Sequence, residues 1–176
     1  RSCARVGSQV IQSQSHGRLL EGEDDEVSAF GRERLAADGV DVRTALEAVA
    51  VERDGDSQVM VCDGGGTRVR VPFDTLLVAV GRKPRTAGFG LEALGIPAER
   101  TLETDVYLAT LYPNIYACGD VAGPYQFTHV AAHQAWYAAV NSLFGQFKRF
   151  RVDYSVIPAV TFVDPEVARV GLNERE

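Results

Sequence analysis

The sequence contains few cysteines, no long hydrophobic run and no excess of cationic residues. Its three cysteines, Cys3, Cys62 and Cys118, lie far apart among the 176 residues. Because no C-x-x-C pair is present, the spacing disfavours a zinc site and a disulfide scaffold, and it is typical of isolated thiols in the cytoplasm. No apolar run approaches the roughly 18 residues that span a bilayer. We therefore expect a cytoplasmic chain without a membrane span.

Cationic residues are outnumbered, with 18 Lys and Arg against 24 Asp and Glu and a formal net charge of −6. A nucleic-acid-binding surface needs basic residues to meet phosphates, so this balance predicts no nucleic-acid partner. Hydrophobic residues make up 45% of the chain, which is enough for a folded core. The chain begins Arg-Ser-Cys, without an initiator Met or a signal-like segment. We expect it to be a piece of a longer protein.

The hydrophobic pattern predicts an α/β fold. Two continuous apolar runs, residues 75–80 and 114–118, are typical of strands buried on both faces. Aspartate-glycine turns predict hairpins between short strands, and an acidic run suits the start of a helix because free amides there carry partial positive charge. The acidic run lies at residues 21–26. The remaining predicted elements are a helix end at 1–6, a strand at 10–11, short strands at 40–43, 48–53, 58–62 and 67–71, helices at 91–94 and 128–144, and strands at 155–163 and 166–171.

Two short motifs resemble parts of known ligand sites. The G-x-G-x-x-A pattern at residues 88–93 starts several residues after the preceding predicted strand, and Gly and Pro at residues 95–97 cut its helix short. Pyrophosphate binding needs a strand that leads directly into a long helix, so we interpret this segment as a loop. His129 and His133 have the spacing of two metal ligands on one helix. No acidic or cysteine neighbour completes a ligand set. A metal-binding module built on these two histidines is kept as a further hypothesis beside those given below.

The clearest candidate site is N-I-Y-A-C-G-D-V-A-G at residues 114–123. A predicted strand leads into Gly119 and Asp120, and ligands of open α/β sheets bind at the carboxyl ends of strands. Glycine permits close approach to the backbone, and Asp120 can accept hydrogen bonds from sugar-type hydroxyls. The helix that follows begins with free amides that suit an oxygen-rich group. The pattern indicates a nucleotide-type ligand, and a simple turn capped by Asp120 is the alternative.

Two segments together resemble a known family. F-D-T-L-L-V-A-V-G-R-K-P-R-T at residues 73–86 and the segment 114–123 resemble the paired signatures of the flavin-dependent pyridine nucleotide-disulfide oxidoreductases. Residues 152–176 resemble the opening of that family's dimerisation domain, and residues 7–27 resemble the second strand and following helix of its NAD(P) domain. The resemblance implies partial Rossmann-like NAD(P)- and FAD-binding domains and the start of an α+β dimerisation domain. It divides the chain at 1–81, 82–146 and 147–176 and implies a homodimer.

The resemblance also implies roles for single residues. It implies that Asp120 binds the ribityl chain of FAD and that the helix start lies near the pyrimidine end of the flavin. The residues that the resemblance places against FAD are Gly119, Asp120, Val121, Thr128 and His129. Gly81 would lie where the nicotinamide nucleotide crosses between domains, and Val160 would offer its backbone carbonyl to the nicotinamide amide. The family's catalytic residues and both glycine fingerprints have no counterpart here, so no catalytic residue is assigned.

Coenzyme choice depends on the residues after the predicted strand at 10–11. NAD binding uses an acid there for the ribose 2′-hydroxyl, whereas NADP binding uses cations for the phosphate. Gln14 replaces the acid of NAD-type relatives, and Ser15 replaces the arginine common in NADP-type relatives. His16 and Arg18 are within reach of a phosphate, so the pattern leans toward NADP while NAD stays open.

The leading hypothesis is part of an oxidoreductase that passes electrons from NAD(P)H through FAD to a disulfide or another small-molecule acceptor. The family's redox cysteine pair is not in this sequence, so a disulfide acceptor is implied by resemblance alone. The alternative is a non-catalytic folded fragment or assembly module, because both dinucleotide fingerprints are missing. In either case we expect this chain alone to be inactive.

Overall fold

The computed structural model describes residues 1–176, which form two compact units. The first unit comprises Arg1–Val78 together with Pro158–Glu176, and the second comprises Ala79–Ile157. Helices and strands are both present, so the predicted mixed α/β class is confirmed. No helix has the combination of length and apolar character that crossing a bilayer requires.

The helices and strands follow one another in this order: α1 (Ser2–Arg5), β1 (Val10–Ser13), α2 (Asp25–Ala37), β2 (Val40–Arg43), β3 (Glu47–Asp54), β4 (Ser57–Gly64), β5 (Thr67–Phe73), a 3₁₀ helix (Glu92–Leu94), a second 3₁₀ helix (Gly119–Val121), α3 (Thr128–Phe144), β6 (Pro158–Thr161) and β7 (Val167–Val170).

The first unit opens with a β–α–β arrangement in which β2 pairs parallel with β1 across α2. The predicted helix start at the acidic run is confirmed, because Asp24 is the N-cap residue and Asp25 and Glu26 occupy the first turn of α2. Their carboxylates complement the positive end of the helix dipole. The helix ends before Gly39, whose φ of 85° is one that residues with side chains rarely adopt.

Strands β3, β4 and β5 form an antiparallel meander, as the aspartate-glycine turns predict. In the turn between β4 and β5, Gly66 donates its backbone N–H to the Asp63 carboxylate at 2.7 Å. One side of the meander covers a core in which Met60, Cys62 and Val71 are buried. Burial raises the pKa of the Cys62 thiol, so this cysteine is held in its neutral form.

The ends of the first unit are joined by ion pairs. Arg5 on α1 binds Asp38, after α2, at 2.6 Å and Asp164, in the β6–β7 turn, at 2.8 Å. Arg1 binds the same two carboxylates. Hydrogen bonds from Arg5 hold the pKa values of Asp38 and Asp164 below their usual range. Strands β6 and β7 form an antiparallel pair within this unit.

The second unit is built around α3, whose predicted span of 128–144 is confirmed. One buried cluster forms against this helix and consists of Leu108, Ala138 and Val152. A second buried cluster consists of Ile96, Leu102 and Ala117. These two clusters supply the apolar core of the unit.

The predicted buried strand at residues 75–80 is wrong. These residues form no strand, and Leu77, Val78 and Val80 expose 86%, 68% and 90% of their surface. An apolar run becomes a strand only when a partner strand satisfies its N–H and C=O groups, and no strand of this structure pairs with the run.

The predicted strand at residues 114–118 is also wrong, although the segment is packed on both sides. Its only ladder contact is a single antiparallel bridge between Tyr116 and Ala109. Ile115 and Ala117 pack into the second buried cluster, whereas Tyr116 and Cys118 pack against the first. The burial on both faces that the apolar run indicates is therefore present. Backbone pairing is limited to two hydrogen bonds, from the Thr110 N–H to the Ile115 carbonyl and from the Ala117 N–H to the Leu108 carbonyl, so no extended strand forms.

Candidate functional site

The predicted Gly-Asp turn is the 3₁₀ helix Gly119–Val121, and a six-residue loop, 122–127, joins it to α3. Gly119 is buried with a φ of 78°, and a Cβ at this position would lie 3.3 Å from the Cβ of Ala131. Backbone conformation and limited space therefore both favour glycine here. Asp120 is exposed and its carboxylate has no hydrogen bond or ion pair within the chain, whereas Val121 is half-buried.

The start of α3 presents backbone amides that no side chain caps. Phe127 is the N-cap residue and makes no side-chain capping bond. The Ala131 N–H donates to the Phe127 carbonyl at 2.9 Å. The amides of the first turn come before Ala131 in the chain and so are not donors in the helical hydrogen-bond pattern. Thr128 and His129 are both exposed there, and the His129 ring stacks on Phe127 at 5.3 Å. An uncapped helix start of this kind favours a ligand with negative or oxygen-rich groups.

Gln134 supports the turn from α3, although the sequence pattern did not single it out. Its side chain is fully buried. Its Oε1 accepts the Gly119 N–H at 2.6 Å, and its Nε2 donates to the Gly123 carbonyl at 2.5 Å and to the Tyr154 hydroxyl at 2.8 Å. The signal that could have found it is a polar residue at a buried position of the helical pattern, four residues after Val130.

A cleft of about 1270 Å³ lies in the second unit, lined in part by the loop between the 3₁₀ helix and α3. Arg82 donates to the Gln126 carbonyl at 3.3 Å, which joins the segment after residue 80 to this loop. Burial raises the pKa of Tyr154, so its phenol stays neutral. The charged and aromatic lining residues are Arg82, Lys83, Arg100, Arg151, Glu99, Glu103, Asp105, Tyr125, Phe127 and Tyr154. This mixed lining can hold a polar ligand that has an aromatic portion.

The two histidines of α3 have separate contacts. The His133 Nε2 lies 2.9 Å from the Asp153 carbonyl oxygen, and its ring meets Tyr137 edge-on at 4.9 Å. His129 instead stacks on Phe127. The chain contains no group of three or more His, Cys, Asp or Glu side chains arranged to hold a metal ion. The structure therefore gives both imidazoles protein neighbours and offers no further metal ligands beside them.

The candidate coenzyme residues lie in the first unit, in the loop from β1 to α2. Gln14 uses its backbone N–H and carbonyl in bonds to Arg43 and Leu46, each 2.9 Å long. The exposed Ser15 hydroxyl lies 3.3 Å from the His16 Nδ1. These positions are adjacent at the end of β1, where the sequence pattern predicts the coenzyme ribose.

Both basic side chains of this loop are already paired with carboxylates. The His16 Nδ1 lies 2.5 Å from Glu21, and Arg18 pairs with Asp25. Arg18 also donates to the Glu21 carbonyl at 2.7 Å. A phosphate at this loop would therefore compete with Glu21 and Asp25 for the two basic side chains.

The last two candidate residues have fewer neighbours. Gly81 is exposed, with a φ of 126°, and a Cβ added there would meet no heavy atom within 4 Å. Val160 lies in β6, opposite Ala168 of β7, and exposes 44% of its surface. Strand β6 pairs with β7 alone, so one of its edges carries no partner strand. The backbone at each position therefore has space for a ligand to approach.

The comparisons with known proteins agree with the resemblance seen in the sequence. The model of the family described as pyridine nucleotide-disulphide oxidoreductase matches residues 2–135. Dihydrolipoyl dehydrogenase of Bacillus subtilis (strain 168) is 32% identical over 174 residues, which cover 98% of this chain and 37% of the relative. Mercuric reductase of Staphylococcus aureus is 36% identical over 173 residues, covering 97% of this chain and 31% of the relative.

A solved structure is similar over the same range. The HOCl-induced flavoprotein disulfide reductase from Escherichia coli matches with a TM-score of 0.83 and 27% sequence identity, covering 98% of this chain and 39% of that chain. This chain therefore spans less than two fifths of the length of each of these relatives.

Proposed function

Because this chain belongs to the pyridine nucleotide-disulphide oxidoreductase family, whose members depend on FAD and use NAD(P)H, we propose that the whole protein passes electrons from NAD(P)H through FAD to a disulfide or another small acceptor. The observation that carries the proposal is the Asp120 carboxylate, which has no protein partner and lies between a buried glycine and the uncapped start of α3. FAD supplies the redox chemistry when bound, and the chain supplies position and electrostatics.

The residues of the turn and helix fit the polar part of FAD. The Asp120 carboxylate, which has no protein partner, would accept hydrogen bonds from the ribityl hydroxyls. The amide of Thr128, in the uncapped first turn of α3, would stabilise negative charge on the pyrimidine part of the flavin. In this proposal Gly119 and Val121 set the backbone beside the ribityl chain, and His129 lies on the flavin side of the helix start.

The coenzyme would bind at the β1–α2 loop of the first unit, where Gln14 and Ser15 would meet the ribose. Since His16 and Arg18 are paired with carboxylates, a 2′-phosphate must displace a carboxylate, while a 2′-hydroxyl can donate to one. We propose that both NADH and NADPH are accepted. As the family resemblance implies, the nicotinamide nucleotide would pass Gly81, and the Val160 carbonyl would accept a hydrogen bond from the nicotinamide amide.

The same resemblance supports a division of the chain into parts of three domains. In this proposal residues 1–81 belong to an NAD(P)-binding domain, residues 82–146 to an FAD-binding domain, and residues 147–176 to the start of a dimerisation domain. The open edge of β6 is consistent with a further strand of the whole protein at this place. The protein would act as a homodimer.

The direct test is flavin content and a single substitution. The purified whole protein is expected to show flavin absorption and to reduce an artificial acceptor with NADH or NADPH. Asp120→Ala removes the proposed ribityl acceptor and should weaken FAD binding about tenfold or more, the size of a hydrogen bond to a charged group. Flavin fluorescence quenching during reconstitution measures the dissociation constant.

Asp56→Ala is the matched control, because it removes an exposed carboxylate from the β3–β4 turn. It should leave FAD affinity unchanged. A colourless whole protein without activity would favour the non-catalytic assembly module instead. Equal FAD affinity in the wild type and the Asp120→Ala variant would remove Asp120 from the site.

A further inference from the structure

Gln134 has the largest fully buried side chain of the protein. A primary amide has two N–H donors and one carbonyl oxygen, and here both donors and the oxygen are used. Two of its three partners are backbone groups of Gly119 and Gly123, which are themselves buried. The amide thus connects the start and the end of the five-residue segment that carries Asp120.

The segment is also closed by its own backbone. The Gly119 carbonyl accepts the N–H groups of Ala122 at 2.9 Å and Gly123 at 3.3 Å. These bonds shape the turn but do not orient it against α3. The Gln134 amide supplies that link, because it is the group on α3 that hydrogen-bonds to both ends of the turn.

We propose that Gln134 is a positioning residue for FAD, which fixes the Gly119–Gly123 turn so that the Asp120 carboxylate meets the ribityl hydroxyls. This inference rests on the proposed function. It requires an amide specifically: an apolar side chain would leave the Gly119 N–H and the Gly123 carbonyl unpaired, and a carboxylate would meet the Gly123 carbonyl without a proton to donate.

The test compares Gln134→Leu and Gln134→Glu in the whole protein, with FAD as the titrant for the apoprotein. Gln134→Leu should weaken FAD binding about ten- to a hundredfold, because two buried backbone groups lose their partner. Gln134→Glu should bind weakly at about pH 8 and recover as the pH falls toward about 6, since a protonated carboxyl can donate to Gly123. Wild-type affinity should change far less over that range.

Asn141→Leu is the matched control, because Asn141 is a second buried amide on α3 that binds Tyr107 and Phe150 instead of the turn. It should lower the unfolding temperature but leave the FAD dissociation constant of the folded protein within about twofold of the wild type. Equal weakening by Asn141→Leu and Gln134→Leu would show a general loss of structure and overturn the inference. So would unchanged FAD affinity in both Gln134 variants.

The pH profile of Gln134→Glu decides the matter if Gln134→Leu does not fold, because glutamate has nearly the same size and shape as glutamine. A flat profile with wild-type affinity overturns the positioning role, and recovery at lower pH supports it. Absence of FAD from the wild type would instead contradict the proposed function, so the two failures are distinguishable.

Discussion

Single side chains near the two candidate sites differ in whether they are already paired. Asp120 has no protein partner, whereas His16 and Arg18 are each bound to a carboxylate. An unpaired exposed group is available to a ligand at once, while a paired group must first exchange partners. In the proposed sites, the flavin side would therefore be preformed, and the coenzyme side would depend on competition between carboxylates and phosphate.

Asp25→Asn should shift coenzyme preference toward NADPH. The substitution removes the carboxylate that pairs with Arg18 and leaves the guanidinium available to a 2′-phosphate. Because the Asp25 side chain is exposed, we expect a modest increase, about two- to fivefold, in the ratio of kcat/KM for NADPH to that for NADH. Steady-state kinetics of the whole protein with each coenzyme measures this ratio.

Asp41→Asn is a suitable control, since Asp41 pairs with Arg43 two residues away on β2. It changes the net charge equally and should leave the ratio unchanged. A ratio that stays at the wild-type value in Asp25→Asn would exclude Arg18 from the phosphate site.

Helix α3 is an element held by amides as well as by apolar packing. Its buried face contains Val130, Gln134, Ala138 and Asn141, so two of four buried positions are polar. The Asn141 Nδ2 donates to the carbonyls of Tyr107 at 3.0 Å and Phe150 at 2.8 Å, and its Oδ1 accepts the Phe150 N–H at 2.8 Å. Hydrogen bonds therefore set which loops lie against the helix.

Removing the second amide should destabilise the protein. We expect Asn141→Leu to lower the free energy of unfolding by about 2–4 kcal/mol, because several buried backbone groups lose their hydrogen-bond partner. Chemical denaturation followed by circular dichroism measures the change. Ser142→Ala, on the exposed side of the same helix, should have a much smaller effect, and equal effects would mean that the Asn141 bonds contribute little.

The arginine–aspartate cluster between α1, α2 and the β6–β7 turn should make stability depend on pH. The pKa of Asp38 is lowered in the folded state by Arg5, so its contribution is complete above the unfolded pKa of about 4 and is lost as the pH falls through the folded value. Asp38→Asn should lower the unfolding temperature at neutral pH, and the difference from the wild type should shrink below about pH 4.

Thermal unfolding of the two proteins between neutral and acidic pH provides the measurement. Asp56→Asn, in an exposed turn, controls for the change in charge alone. A gap between Asp38→Asn and the wild type that persists undiminished in acid would show that the cluster acts through packing and not through ionisation.

The molecule as a whole leaves an apolar run uncovered at residues 75–80, and this predicts association. Leu77, Val78 and Val80 are largely exposed, and the run has no partner strand. Exposed apolar segments with unpaired backbone groups bind one another. We expect the isolated 176-residue chain to self-associate, and sedimentation velocity should show species larger than a monomer.

Replacing Leu77 and Val78 with serine should reduce this association, because it removes apolar surface from the run. Leu46→Ala, within the meander core, is the contrasting variant and should not reduce it. A monodisperse monomer with a sharp unfolding transition would contradict the prediction.

Local features of the sequence predicted much of the secondary structure. The acidic run before α2, the alanine-rich span of α3 and the aspartate-glycine turns of the meander act over a few neighbouring residues, so their outcome does not depend on distant parts of the chain. The two apolar runs were wrongly predicted as strands because a strand also needs a partner, which hydrophobicity does not supply.

The α/β class, the family signatures and the position of the Gly-Asp turn before α3 follow from the order of the amino acids alone. Three findings required the folded chain: Gln134 holds this turn, Asn141 holds two loops, and His16 and Arg18 are paired. The physical reason is the distance along the chain over which each effect acts. Propensity, capping and turn chemistry are set by adjacent residues, whereas burial and hydrogen-bond partners depend on which distant segment arrives at each side chain.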